Sequence, residues 1–284
     1  MARKLILTAD DFGASSRVSE AIIRACREGV LRHASLLVAA EAAEEAVRRA
    51  KAECPQLSVG LHLALTHVPA VSPRSAELLA PGGSFPPDPA ACGLRYFFRR
   101  GLASALEREM RAQFERFLSF GLPPSHVDGH AHIHVHPVIY PMLLRLAEEY
   151  GFRRVRLPGG ELRRALSYGR GLTLRGAASQ VAAACAFSAL RRWLLARHPS
   201  GKVAVPDRTW GLLRSGLMDE DYLLHLLKGL PEGTTEIYLH PALSPDALPR
   251  GRRPTPTHRS RLELDALLSP RVKEAIRTEG IELI

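Results

Sequence analysis

The sequence predicts an α/β protein in which parallel strands alternate with helices to form a closed or nearly closed β/α barrel, with residues 1–284 as a single domain. Three observations lead there. Short β-type runs and amphipathic helical stretches alternate about seven times along the chain. No Gly-x-Gly-x-x-Gly follows the first strand, so the main alternative, an open doubly wound dinucleotide fold, has little support. Acidic and imidazole side chains recur at the carboxyl ends of candidate strands, the rim at which parallel barrels build active sites.

The elements follow in order. Lys4 to Ala9 is an apolar strand, and Ser15 or Ser16 caps a helix carrying Val18, Ile22, Ala25 and Cys26 that ends at Gly29. Ser35 to Ala39 is a second strand, Glu41 to Ala52 a second helix and Ser58 to Leu65 a third strand. Leu102 to Phe120 is a long helix, His126 to His130 a strand, Pro137 to Tyr150 a helix opened by proline, and Arg154 to Leu157 a strand. A helix at 177 to 197, a short strand near Val203 to Val205, an Asp219-capped helix to Leu227 and a strand from Glu236 to His240 come next. Helices at Leu262 to Leu268 and Arg271 to Thr278 complete the chain. Two proline-rich connections, residues 66–93 and 241–258, are long for a compact domain and are expected to be binding loops or lids.

Residues 126 to 136 read His-Val-Asp-Gly-His-Ala-His-Ile-His-Val-His. In a strand every second side chain shares a face, so His126, Asp128, His130, His132, His134 and His136 would line one wall, opposite Val127, Ile133 and Val135. Imidazole and carboxylate together are the ligand set of a divalent metal. Strands rarely run eleven residues, so the first five or so are expected to be strand and the later histidines to curl into a loop, with the roles of His134 and His136 left open. A solvated histidine-rich tract is the plainer alternative, but it has no need of the interleaved apolar residues.

Asp10 and Asp11 end the first strand, His62 lies near the end of the third, His130 ends the histidine strand and His240 ends the strand before Pro241. Neighbouring aspartates can divide the labour, one coordinating a cation and the other accepting a proton; the bland reading is a turn and a helix cap.

Composition narrows the partners. The 284 residues are 46% hydrophobic and carry a net charge of +10. Ten arginines between Arg153 and Arg197 face one acid, Glu161. That segment lacks the interleaved aromatics of a nucleic-acid surface and reads either as a peripheral contact with an anionic membrane, through the helix from Gly176 to Trp193, or as a core helix with a solvated basic flank. Cys26, Cys54, Cys92 and Cys185 are scattered, which suits a reducing compartment. The N-terminal apolar run is too short for a signal peptide, so a cytoplasmic location is expected, with a place at the inner membrane surface if the basic segment binds there. Homo-oligomerisation is left open.

Four blocks, Thr8-Ala-Asp-Asp-Phe-Gly13, Gly60-Leu-His-Leu63, His126-Val-Asp-Gly-His-Ala-His-Ile-His134 and His240-Pro241, resemble in kind and order those of the YdjC-like carbohydrate deacetylases. The resemblance implies a distorted or incomplete β/α barrel that removes an N-acetyl group from an amino sugar with the help of a divalent cation, magnesium or zinc. It further implies Asp11, His62 and His130 as metal ligands, Asp10 as general base and His240 as the group that protonates the departing amine or steadies the tetrahedral intermediate. His126, Asp128, His132 and Arg156 become groups that orient a ligand or touch substrate. Asp-Gly-His-Ala-His-Ile-His, Arg156 to Glu161 and His240-Pro-Ala242 look closest to the hopanoid biosynthesis-associated branch, which implies a lipid-linked N-acetylglucosaminyl substrate rather than a soluble chito-oligosaccharide. A non-haem iron oxygenase, a metal-dependent phosphoesterase and a non-catalytic metal- or lipid-binding protein are the alternatives; the last has no use for Asp10 or His240.

Overall fold

The computed structural model describes residues 2–169, 174–199, 201–243 and 260–284, the side chains of 174–177 and 260 excepted. Among these, eight strands form one sheet: β1 (Arg3–Phe12), β2 (His33–Leu36), β3 (Ser58–Leu63), β4 (His126–Gly129), β5 (Arg154–Val155), β6 (Arg208–Trp210), β7 (Gly233–Leu239) and β8 (Ile281–Leu283). Their order is β5-β4-β3-β2-β1-β7-β6, every pairing is parallel, and β8 pairs with the start of β1 below β2. Ten helices are α1 (Ser16–Glu28), α2 (Ala43–Glu53), α3 (Pro89–Phe98), α4 (Ala103–Ser119), α5 (Ile139–Glu149), α6 (Leu162–Tyr168), α7 (Leu174–Arg197), α8 (Glu220–Lys228), α9 (Ser260–Leu268) and α10 (Pro270–Thr278). The two ends of the sheet are linked by isolated bridges, Arg154 with Ala204 and Gly159 with Thr209, so the sheet curls into an incomplete barrel.

Side-chain alternation explains why the curl holds. Leu5, Leu7, Ala9, Ala34, Leu36, Val59, Leu61, Leu63, Val127, Val155, Leu157, Ile237 and Leu239 all join the main apolar core. Their strand neighbours Thr8, Asp10, Ser35, His62, His126, Asp128, Arg156 and Glu236 are buried and polar, and bond to one another inside the curl. A β/α barrel usually fills its interior with branched apolar side chains. Here that interior is a polar network whose members bond to one another, with Glu236 Oε2 left without a hydrogen-bond partner among the described residues.

Helix starts follow local chemistry. Ser15, Asp88, Asp219 and Ser269 each accept a backbone N–H of the first turn, and proline opens both α3 and α10.

Several expectations need correction. Val203 to Val205 is not a strand: Ala204 makes a single bridge, and the strand lies at Arg208–Trp210. The connection 66–93 is not plain loop, since it holds a 3-10 turn at Ala76–Leu78 and the start of α3; helix α6 and strand β8 also went unforeseen. From residue 244 the connection 241–258 lies outside the described residues. Within the arginine-rich segment, not every described guanidinium faces solvent. Arg156 is buried among carboxylates, Arg191 donates to the carbonyls of Leu157, Pro206 and Asp207, and Arg164 donates to the Gly229 carbonyl. Arg153, Arg163, Arg192 and Arg197 remain exposed, and Arg170 and the side chain of Arg175 lie outside the described residues. No described helix is long and apolar enough to cross a membrane.

Candidate active site

Asp10 and Asp11 are adjacent, and in a regular strand they would face opposite sides of the sheet. They do not, because the register of β1 against β2 slips between Ala9 and Phe12 and Asp11 takes a left-handed backbone with φ of 63°. The distortion brings both carboxylates into the curl. A strained non-glycine residue at a strand end is a local cost accepted where a side chain must be aimed.

Asp11, His62 and His130 meet at one point: their ligand atoms all lie within 4.8 Å of one another. Asp11 Oδ1 is 2.9 Å from His130 Nδ1 and 3.5 Å from His62 Nε2. The other nitrogen of His62, Nδ1, lies 2.6 Å from Asp128 Oδ1, because His62 and Asp128 are paired across β3 and β4. Donation to Asp128 fixes the ring and leaves Nε2 facing Asp11. Burial alone would lower the His62 pKa, but the carboxylates of Asp128, Asp10 and Asp11 overcome it and push it up to about 10.

The direction of that shift reflects the local excess of carboxylates. Asp10, Asp128 and Glu236 are buried around one guanidinium, Arg156, and Asp11 is buried against His62 and His130. One carboxylate and two imidazoles facing each other beside this excess of negative charge fit a divalent cation, with positions left open for water and substrate. A second trio, Asp10, His62 and Asp128, also lies within 4.8 Å, but the Arg156 guanidinium contacts both of its carboxylates, so a cation there would sit beside a like charge.

Arg156 organises the rest. It donates to Asp10 at 2.6 and 2.8 Å, contacts Asp128 at 2.7 Å and donates to Glu236 Oε1 at 3.0 and 3.1 Å, while its guanidinium lies 4.5 Å from the centre of the Tyr238 ring. Burial raises the Asp10 carboxyl and Asp128 adds to it; Arg156 opposes both, and the balance is about 6. Asp128 goes the other way: burial would raise it, but Arg156 and His62 hold it well below the usual range.

His126 reaches the network through a gap. Gly60 of β3 lies between Ser35 of β2 and His126 of β4, and a Cβ there would come within 2.5 Å of the His126 ring. With no side chain in the way, His126 Nε2 lies 3.1 Å from Ser35 Oγ, which donates to Asp128 at 2.6 Å. Burial and Arg154 hold His126 well below its ordinary pKa.

The histidine tract leaves the strand at Gly129. Ala131 and His132 are left-handed, with φ of 52° and 55°, so the one-wall alternation does not extend beyond His130. His132 Nε2 lies 2.8 Å from Tyr238 Oη while its Nδ1 is buried without a partner among the described residues. His134 folds back over Gly129 and lies 3.0 Å from the Arg156 carbonyl, and His136 Nδ1 accepts the Val138 N–H. His240, at the end of β7, is the outermost member: its Nε2 is 3.9 Å from Asp10 Oδ2 and its Nδ1 3.3 Å from Ser215 Oγ. Its backbone N–H donates to the buried Glu263 of α9, which also accepts from Met218.

Sequence reasoning passed over Glu236, Tyr238, Ser35, Glu263 and His67, whose ring lies 5.6 Å from that of His130. Glu236 and Tyr238 were within reach, because alternation along Glu-Ile-Tyr-Leu-His puts them on the side of His240. Ser35, Glu263 and His67 carried no such signal.

Residues 4–278 match the family model described as YdjC-like protein. The chain belongs to the YdjC-like family. A carbohydrate deacetylase of Brevibacillus brevis is 46% identical over 154 residues, covering 52% of this chain and 56% of that protein. A carbohydrate deacetylase of Geobacillus stearothermophilus is 40% identical over 156 residues, covering 53% and 58%, and a chitooligosaccharide deacetylase of Enterobacter sp. (strain 638) is 35% identical over 163 residues, also covering 53% and 58%. The matched stretch thus spans little more than half the length of these relatives. A crystal structure from Enterococcus faecalis, named as a candidate cellobiose-phosphate cleavage protein, superposes with a TM-score of 0.75 over 100% of this chain and 97% of that one at 24% identity, a likeness of fold.

Proposed function

We propose that this YdjC-like chain is a metal-dependent hydrolase that removes the N-acetyl group of an amino sugar. The observation that carries the reading is the convergence of Asp11, His62 and His130 within 4.8 Å, with Asp10 and His240 beside them at the carboxyl rim of the sheet. The deacetylase names of the relatives support the substrate class.

Asp11, His62 and His130 would hold the cation. Bound there, a divalent ion supplies a Lewis acid for the amide carbonyl and makes a water available as nucleophile near neutral pH. Asp10, at about 6, accepts the proton that the attacking water loses, and Arg156 fixes both of its oxygens so that the accepting lone pair is oriented. His240, with Nε2 3.9 Å from Asp10 Oδ2, is partly exposed and donates a proton to the nitrogen as the C–N bond breaks, so that acetate and a free amine leave. Asp128 orients His62, His126 supports Asp128 through Ser35, and His132 with Tyr238 forms the substrate-side wall.

Within this class, the likeness of the histidine block and of His240-Pro-Ala242 to the hopanoid-associated branch favours a lipid-linked N-acetylglucosaminyl substrate over a soluble one. Acetate release from chitobiose-type and lipid-linked sugars, compared side by side with and without chelator, tests both levels. Asp10→Asn is expected to abolish release while still binding the cation, and Asp11→Ala to lose the cation. Undiminished release by Asp10→Asn would remove the base assignment, and release unaffected by chelation would remove the metal.

A further inference from the structure

Helix α3 turns its apolar side chains outward. Leu94, Phe97 and Phe98 are 62%, 51% and 74% exposed, and their i, i+3, i+4 spacing puts them on one face, continued by exposed Ala90 and Ala91. The helix is not loosely attached. Tyr96 on the opposite face is buried and donates to the Leu65 carbonyl at 2.9 Å, Cys92 is buried beside it, and Arg95 donates to the carbonyls of Leu78 and Glu77. The orientation is therefore imposed by the fold. Arg99 and Arg100 follow at once, both exposed and, among the described residues, neither paired with a carboxylate. By contrast the nearby Arg108 is matched by Glu77 at 2.6 Å.

We infer that the α3 face of Leu94, Phe97 and Phe98, with Arg99 and Arg100, docks on an anionic lipid surface. Taking whole-residue areas of about 150–250 Å², the three exposed fractions amount to roughly 400 Å² of apolar surface. A stable interface between two protein copies buries about 800 Å² on each, of which about 450–520 Å² is apolar, so this patch by itself falls somewhat short of a dimer seam. A small apolar knob edged by two exposed cations suits shallow insertion among anionic headgroups, with the arginines at the phosphate level. Docking would also orient the molecule: the Phe97 ring is 6.1 Å from that of His136, so the knob adjoins the turn that carries His130 and His132. The inference does not depend on the deacetylase reading.

The test is co-sedimentation of the full chain with phosphatidylglycerol–phosphatidylcholine vesicles and with pure phosphatidylcholine vesicles. The protein is expected to sediment with the anionic vesicles and about tenfold less with the neutral ones. Leu94→Ser/Phe98→Ser and Arg99→Glu/Arg100→Glu should each weaken anionic-vesicle binding about tenfold or more, with circular dichroism and thermal melting as for the parent, since all four side chains are exposed. Failure of the parent to sediment with anionic vesicles, or parent-like binding by both variants, overturns the inference. So does sedimentation velocity that finds the parent a dimer and Leu94→Ser/Phe98→Ser a monomer, which assigns the face to a second copy.

Discussion

Replacing Arg156 with methionine removes the one guanidinium that Asp10, Asp128 and Glu236 share while keeping most of its apolar stem. Five contacts of 2.6 to 3.1 Å are lost, all of them buried. Gross Coulomb attraction at such distances is about 5 kcal/mol per pair at an effective dielectric of 20, but the desolvation already spent on the arginine offsets much of it. Breaking a buried ion pair from one side costs about 3–5 kcal/mol, and three stranded carboxylates put Arg156→Met at the upper end. For a chain of this length that corresponds to a fall of about 10 °C in Tm. The pH dependence separates this cause from simple loss of packing. Asp10 already stands at about 6 against the opposing pull of Arg156, so without the guanidinium its carboxyl rises further above the unfolded value, its neutral form is favoured by folding and the deficit grows as pH rises. Urea unfolding of the chelated protein should therefore show a larger difference between Arg156→Met and the parent at pH 8 than at pH 5. A variant within about 0.5 kcal/mol of the parent at neutral pH, or a deficit independent of pH, refutes the claim that Arg156 neutralises this cluster.

Gly60→Ala is expected to destabilise by about 1–3 kcal/mol in urea unfolding, because the added Cβ meets the ring and backbone carbonyl of His126, and the carbonyl cannot rotate away; an unchanged midpoint would show that β4 yields freely. His33 gives a pH slope of known sign: burial and then Arg154 push its pKa down to about 4 from 6.5, so the stability it confers is full above pH 6.5 and is lost as pH falls toward 4. The shift is worth about 3 kcal/mol, and His33→Gln should shallow the fall in urea midpoint between pH 7 and 5, leaving the same-sign contributions of His126 and His134; an unaltered slope counts against it.

Much of the fold was legible because its signals are local. The alternation of Leu5, Leu7 and Ala9, or of Val59, Leu61 and Leu63, states which side of each strand meets the helices, and Ser15 and Asp219 announce their helices by a hydrogen bond three residues away. Elements held by distant partners were not legible. Strand β8 is three residues long and exists because β1 leaves its first residues unpaired on that side; β6 is likewise three residues beside β7. Helix α3 has its apolar face outward, so periodicity read as core would place it the wrong way round.

The sequence by itself determined that carboxylates and imidazoles sit at the ends of parallel strands, since strand period and chain direction are properties of the backbone. Only the tertiary structure decided that Asp10 and Asp11 face the same way, because that follows from a register slip and a left-handed residue held by β2. It also decided that His126 passes over Gly60 to Ser35, that the tract turns away at Ala131, and that one guanidinium balances Asp10, Asp128 and Glu236. Charge, in a buried site, is settled by what lies within a few ångströms through space, and residues 10, 128, 156 and 236 become neighbours only when the sheet curls.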